Sequence, residues 1–432
     1  MTLKAIRKFT RRLRRSSFVR NVAVLATGSA IAQVIPIIVL PIISRLYEPK
    51  DFGVAALFLS ISTIIGISAT LRYDHAIVLP KDSRTANQLT TISIALAVII
   101  SCFLLAIVVT AKCLHLEPAW LSQFGLWVYF LPLGVLLVAL ENTALGIATR
   151  EKRFRKIAGA AVIHSSTVSG IRVVSGFFNS GIAGLIGSML TGLIAKLAFL
   201  GSPRRTSQHL QFISPKETRS VMYQYRQFPH YSLPTGLLRA LNQNLPIFAL
   251  AFIFSPAIVG FYAMGNRLLN MPIQLFTESV RRIYLQEAAE LINHGKSLTR
   301  PLLKATGGLA ILGLMIFAPI ILLGDQLFTF VLGEKWTNAG VFAQILAPFL
   351  FLLFIQGPSG ATFVVLQKQH VLMKIQLVTI LLTTGVFLAS SAYGLEVKTT
   401  LAFFSAASSM MSIIVIAVAI SISTSHITND PK

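Results

Sequence analysis

The chain alternates long apolar runs with short polar breaks, and each run is near twenty residues long and uninterrupted. Twenty residues of α-helix span about 30 Å, the thickness of a bilayer core. Strands of a membrane barrel would instead alternate apolar and polar positions over roughly ten residues. The apolar windows predict twelve helices, at roughly 22–44, 52–71, 89–111, 121–147, 157–177, 181–200, 232–254, 258–278, 302–323, 340–365, 371–392 and 399–422. The expected class is an all-α polytopic membrane protein. The longest polar connection, from Gly201 to about His230, leaves six spans on either side. The predicted organisation is a basic N-terminal segment 1–21, a six-helix lobe 22–200, a linker 201–231, a second six-helix lobe 232–422 and a tail 423–432.

Composition removes the competing classes. Of 432 residues, 54% are hydrophobic and 12% charged, against about 25% charged in a soluble domain. Mean hydropathy is +0.72. Neither a soluble surface nor a disordered chain can be made from these residues. Cys102 and Cys113 are the only cysteines, and they suggest neither a disulfide framework nor a zinc site.

The net charge of +23 would point to nucleic acid in a soluble protein. Here the basic residues sit on alternate connections. One set comprises the tail from Lys4 to Arg20, then Arg72, Lys81 and Arg84, Arg150 to Lys156, Arg204 to Arg226, and Arg281 to Arg300. The opposite loops hold only Arg45, Lys50, Lys112, Lys335 and Lys398. This is the positive-inside pattern, so both termini are expected in the cytoplasm and no nucleic acid is expected as a partner. The stretch Met1–Arg20, with Ile6, Phe9, Leu13 and Phe18 among its cations, is expected to lie on anionic membrane lipids.

The two halves resemble each other. Glu48-Pro49 followed by Gly53 matches Ser255-Pro256 followed by Gly260; Gln33 and Pro36 match Gln243 and Pro246; Trp120 and Pro132 match Trp336 and Pro348. The order is kept, and the offsets differ only by loop-sized amounts. Six spans return the chain to its starting side, so the halves would be parallel repeats. That arrangement belongs to transporters that rock two lobes about a central site. Proline within or near spans, as at Pro36, Pro41, Pro234, Pro272 and Pro358, agrees with bent helices.

Charge inside a bilayer is costly, so the exceptions are the candidate chemistry. Span seven carries Arg239, Asn242, Gln243 and Pro246 on one face, and span eight carries Arg267, Asn270, Gln274 and Glu278. Span one offers Ser29 and Gln33, and span two Ser60, Ser62, Thr63 and Thr70. At the repeat offsets Arg239 stands opposite Ser29, and Arg267 opposite Ser60. One reading is a water-filled vestibule with a cationic wall, in which the two Arg hold a diphosphate. The other is that both Arg pair with Glu278 or backbone carbonyls and only hold helices together. Arg172 is a further candidate for substrate, with snorkelling to the outer interface as the alternative. Lys196, Lys304 and Lys374 read as snorkelling. Glu141, beside Asn142 and Thr143, is a candidate for a coupling proton or sodium ion, or else an interhelical hydrogen-bond partner; His164 is a weaker candidate of the same kind. Arg72, Asp74 and His75, and likewise Arg281 and Arg282, read as gate or headgroup residues, or as a solvated inner rim. No nucleophile, nucleotide or metal motif is present, no cofactor is called for, and the expected outer loops are short, the longest spanning 324–339.

The stretch Leu40-Pro41-Ile42-Ile43-Ser44-Arg45-Leu46-Tyr47-Glu48-Pro49-Lys50-Asp51-Phe52-Gly53 resembles the opening signature of polysaccharide-biosynthesis flippases. Val259-Gly260-Phe261-Tyr262 and Leu332-Gly333-Glu334-Lys335-Trp336 resemble two later motifs of the same family. The resemblance implies the multidrug/oligosaccharidyl-lipid/polysaccharide (MOP) exporter fold, with two six-helix lobes in a V around a central cavity. It implies a non-enzymatic flippase in the bacterial inner membrane that moves an undecaprenyl-pyrophosphate-linked oligosaccharide, an O-antigen or capsule unit, to the outer leaflet. A polysaccharide polymerase and chain-length proteins are the implied protein partners. The rival readings are a cation-coupled drug exporter, a lipid II flippase, and a membrane polymerase or ligase of polysaccharide chains.

Overall fold

The computed structural model describes residues 17–115, 123–201, 214–294 and 296–428. The basic stretch 1–16, Trp120, residues 202–213 of the 201–231 connection and the last four residues lie outside it. The described chain is helical, with no strand. Its helices are α1 Ser17–Leu46, α2 Pro49–Ala69, α3 Tyr73–Ala76, α4 Ser83–Cys113, α5 Leu131–Arg150, α6 Phe154–Phe177, α7 Gly181–Leu200, α8 Pro215–Gln224, α9 Leu233–Ile253, α10 Pro256–Pro272, α11 Glu278–Asn293, α12 Thr299–Leu332, α13 Thr337–Ile355, α14 Gly357–Val365, α15 Gln369–Tyr393 and α16 Val397–Thr428.

Eleven of these rods, some joined end to end, are long and apolar enough to cross a membrane. The exception among the twelve expected spans is the eighth. It is helical, but a π turn at Ile273–Thr277 breaks it into α10 and α11. Asn266, Arg267, Asn270 and Gln274 leave it no long apolar window. The expected loop 324–339 is also mostly helix, because α12 continues to Leu332 through a kink at Leu323. Asp325, which reads as a loop residue, accepts a hydrogen bond from Gln344 Nε2 on α13 (3.4 Å).

The motifs that suggested a family prove to be helix boundaries. Glu48 caps α2 in a reciprocal pair with Asp51, and Pro49 supplies the first helical position. Ser255 and Pro256 begin α10 with proline again at the first helical position but without a side-chain cap. Gly333 has φ +101°, a conformation that side-chain-bearing residues rarely adopt, and it ends α12. The short 3₁₀ turn after it, Glu334–Trp336, buries Trp336 completely against the edge of Phe261.

The chain separates into two compact units, Met1–Pro246 and Ile247–Lys432. In the first unit α1 lies along α6. A Cβ on Gly28 would stand 2.5 Å from that of Ala158, and Ser165 Oγ donates to Ala32 O (2.6 Å). Lipid supplies no hydrophobic drive between helices, so such small-residue contacts and hydrogen bonds hold them together. Part of the expected linker belongs to this unit as well. Ser214 caps α8, and Val221 is buried with Tyr73, Ile77, Leu89 and Ile92. Tyr73 Oη donates to Met222 O (3.2 Å), and Arg84 meets Glu217 at 2.6 Å. In the second unit α12 and α13 touch backbone to backbone at Gly324 and Gly340. Tyr284, Leu302, Ala361, Phe363 and Val415 form a core beneath α11.

Asp82 caps α4 by accepting from the Thr85 backbone N–H (2.6 Å). The Thr85 side chain and then its backbone hold the Asp82 carboxyl below the usual carboxylate range. A group of this sign stabilises above its unfolded pKa and loses that contribution as pH falls through the folded one. Hydrogen-exchange protection at residues 83–86 is therefore expected to persist through the range where free aspartate protonates and to fall only below it. Asp82→Ala should lose that protection at neutral pH, and Asp82→Asn should keep it.

Candidate functional site

Three charges within spans of the first unit, Glu141, Arg172 and Lys196, have partners inside it. Lys196 Nζ on α7 binds Glu141 Oε1 on α5, with 15% and 18% of the two side chains exposed. The expectation that Lys196 snorkels is corrected: a carboxylate stands opposite it inside the unit. Glu141 follows the interhelical-partner reading in its geometry. The His164 ring lies against Gly192, one turn before Lys196, within 3.4 Å of where a Cβ would be.

Arg172 is also internal. Its Nε donates to Ser188 Oγ (3.1 Å), and its carbonyl accepts from Tyr47 Oη (2.8 Å), which also meets Ser175 Oγ. Arg172 is 9% exposed and Ser60 2% exposed in this structure. Gln33 is half-buried, and its Oε1 has no hydrogen-bond partner among the described residues.

The helices expected to carry substrate contacts behave differently. Arg239 on α9 is exposed, Asn242 is half-buried and Gln243 exposed. Arg267 on α10 is exposed as well. Neither Arg has an ion pair or hydrogen bond among the described residues. Asn270 Nδ2 is engaged within its own helix, donating to the carbonyl (2.8 Å) and side-chain oxygen (2.7 Å) of Asn266. Gln274 is exposed in the π turn. Glu278 holds Arg281 one turn on, through Nε (3.1 Å) and a terminal nitrogen (2.8 Å). The reading in which Glu278 neutralises Arg239 or Arg267 is therefore corrected: the i, i+3 partner is closer and of the right charge. Arg282, Lys304 and Lys374 are exposed.

The turn after α2 is built rather than loose. Leu71 and Arg72 have φ +47° and +63°, each in the left-handed region at a cost of about 1–2 kcal/mol. Thr70 Oγ1 donates to Asp74 Oδ1 (2.6 Å) beneath them, and Asp74 is buried. The solvated-rim reading thus fails for Asp74. Arg72 donates to His75 Nε2 (2.8 Å), and its guanidinium lies on Gly236 of α9. Arg150, which the sequence reading left among surface cations, donates to the carbonyls of Ile77 (3.1 Å), Pro80, Lys81 and Asp82 (3.1 Å). Its place in the last turn of a helix facing a polar connection was the available signal. Gly236 carried no signal of its own.

A model of the polysaccharide biosynthesis protein family matches residues 42–341. A search of curated proteins returns no match. Solved structures that share the fold include the following three. One is titled as the inward-facing conformation of a multidrug resistance MATE family transporter of the MOP superfamily: TM-score 0.65, 15% identity, 94% of this chain and 96% of that one. Another is the lipid II flippase MurJ in an inward closed conformation, at 0.70, 11%, 93% and 87%. An outward-facing MATE transporter matches at 0.59, 12%, 97% and 99%.

Proposed function

Because the chain belongs to the polysaccharide biosynthesis protein family, we propose that it is a flippase. It carries an undecaprenyl-pyrophosphate-linked oligosaccharide, such as an O-antigen or capsule unit, from the inner to the outer leaflet of the bacterial plasma membrane by alternating access. The observation that carries this reading beyond the family is the contrast among membrane charges. Glu141, Lys196, Arg172 and Glu278 have partners, whereas Arg239 and Arg267 stand exposed without one among the described residues. An unpaired guanidinium in a membrane helix is costly unless it meets water or an anion, and its planar fork suits the oxygens of a diphosphate. The polyprenyl tail stays in lipid while the headgroup crosses. A proton or sodium gradient drives the cycle, since no nucleotide motif is present. A multi-helix protein similar in fold is titled as a lipid II flippase, a protein with a lipid-borne substrate in its name.

The test is complementation. Deletion of the gene should remove long surface glycan and leave the lipid-linked precursor on the inner leaflet. Arg239→Ala and Arg267→Ala, expressed at wild-type abundance, should each lower glycan export about tenfold or more, the scale of one charge-assisted hydrogen bond. Intact glycan with altered sensitivity to cationic compounds would instead favour a drug exporter. Full rescue by both variants would discard these two residues as the substrate contacts.

A further inference from the structure

The turn between α2 and α4 grips α9, and one glycine makes the grip possible. A Cβ placed on Gly236 would lie 2.5 Å from one Arg72 terminal nitrogen, 2.8 Å from Nε and 3.0 Å from Cζ. The edge of the guanidinium that carries Nε and this terminal nitrogen therefore occupies the space a side chain on Gly236 would fill. Arg72 reaches that position from a left-handed backbone fixed below by Thr70–Asp74 and by the buried Tyr73 ring. Its other attachment is His75. Arginine only donates, so the bonded Nε2 of His75 is the unprotonated, accepting nitrogen. That same Nε2 stands 3.6 Å from Asp74 Oδ2.

We propose that Arg72, seated on Gly236, is a clasp that fastens the start of the seventh span to the turn after the second, and that protonation of His75 opens it. A protonated Nε2 becomes a donor. It loses the bond from Arg72, repels the guanidinium, and turns to Asp74. Of the other charged groups on the elements packed against Tyr73–Ala76, Lys216 and Arg219 of α8 are exposed to solvent and the following are engaged elsewhere. Arg150 holds carbonyls, Arg84 holds Glu217, Asp82 caps α4, and His230 Nδ1 is bonded to the Arg226 carbonyl. Lys81 is exposed on the connection. The clasp rests on the flippase reading only for its purpose, which is to make the release of the seventh span answer to protons.

The test needs no substrate, so its failure and that of the flippase reading are separable. Nitroxide labels are placed at Leu79→Cys and Tyr231→Cys, both exposed positions, in full-length Cys102→Ser, Cys113→Ser protein in lipid nanodiscs. Pulsed electron–electron distances are recorded at about pH 8 and about pH 5.5. The expected result is one short distance at the higher pH, with the long-to-short ratio rising about tenfold at the lower, the scale of a moderate population shift. His75→Gln, which still accepts but cannot be protonated, should keep the short distance at both. Gly236→Ala should give the long distance at both. If Gly236→Ala does not fold, Arg72→Gln must give that result. Identical distributions at the two pH values overturn the proposal. So does a pH response that survives in His75→Gln, or a short distance retained in whichever clasp variant folds.

Discussion

Lys196→Met is expected to lower the stability of the protein by about 3–5 kcal/mol, the cost of leaving one member of a buried ion pair alone. Glu141 is mostly buried on α5, and Lys196 supplies its counter-ion across the α5–α7 interface. His164, packed on Gly192 one turn away, is no substitute for a permanent cation. The double variant Glu141→Gln, Lys196→Met should recover most of the loss, because it removes both charges and keeps the volume. Thermal unfolding of the single and double variants in nanodiscs measures both. A single variant as stable as the parent would show that the pair contributes nothing.

The second large effect is expected at Gly340. A Cβ there would stand 2.4 Å from Gly324 O and 2.6 Å from Asp325 Cα. Both are backbone atoms, so no side chain can turn aside, and α12 and α13 must separate. Gly340→Val should cost about 3 kcal/mol or more, at the upper end of overpacking, and it should appear as a collapse in the yield of monodisperse protein. Gly385→Ala is the matched control. Nothing lies within 4 Å of its new methyl, and the gain in helix propensity is up to about 1 kcal/mol. Equal yields for the two variants would refute the close approach of the helices.

These cases show where sequence reasoning reaches and where it stops. Apolar run length places the helices, because each span must bury its own backbone hydrogen bonds and so announces itself locally. The eighth span blurred for the same reason: its polar side chains break the run, and the π turn at Ile273–Thr277 leaves no mark in composition. The tail of the ninth was misread at Asp325, whose partner Gln344 lies on the following helix. Charges were located correctly as exceptions, but their partners were not readable. Lys196 finds Glu141 across 55 positions of chain, and Glu278 finds Arg281 on the next turn instead of a distant Arg. Arg239 and Arg267 stand out because charge within an apolar run is costly, and Gly236 was missed because its role exists only once Arg72 lies on it.

Arg150 bears on the order in which the protein is made. The carbonyls of Ile77, Pro80, Lys81 and Asp82 take their hydrogen bonds from a residue some seventy positions further on. While the second and third spans enter the membrane, that connection has no protein donor for these groups, and water must serve. It sets only when the fourth span is threaded and its last turn reaches the surface. The second, third and fourth spans therefore mature as one cohort, and a ribosome stalled before residue 150 would leave behind a hairpin that is inserted but unfinished.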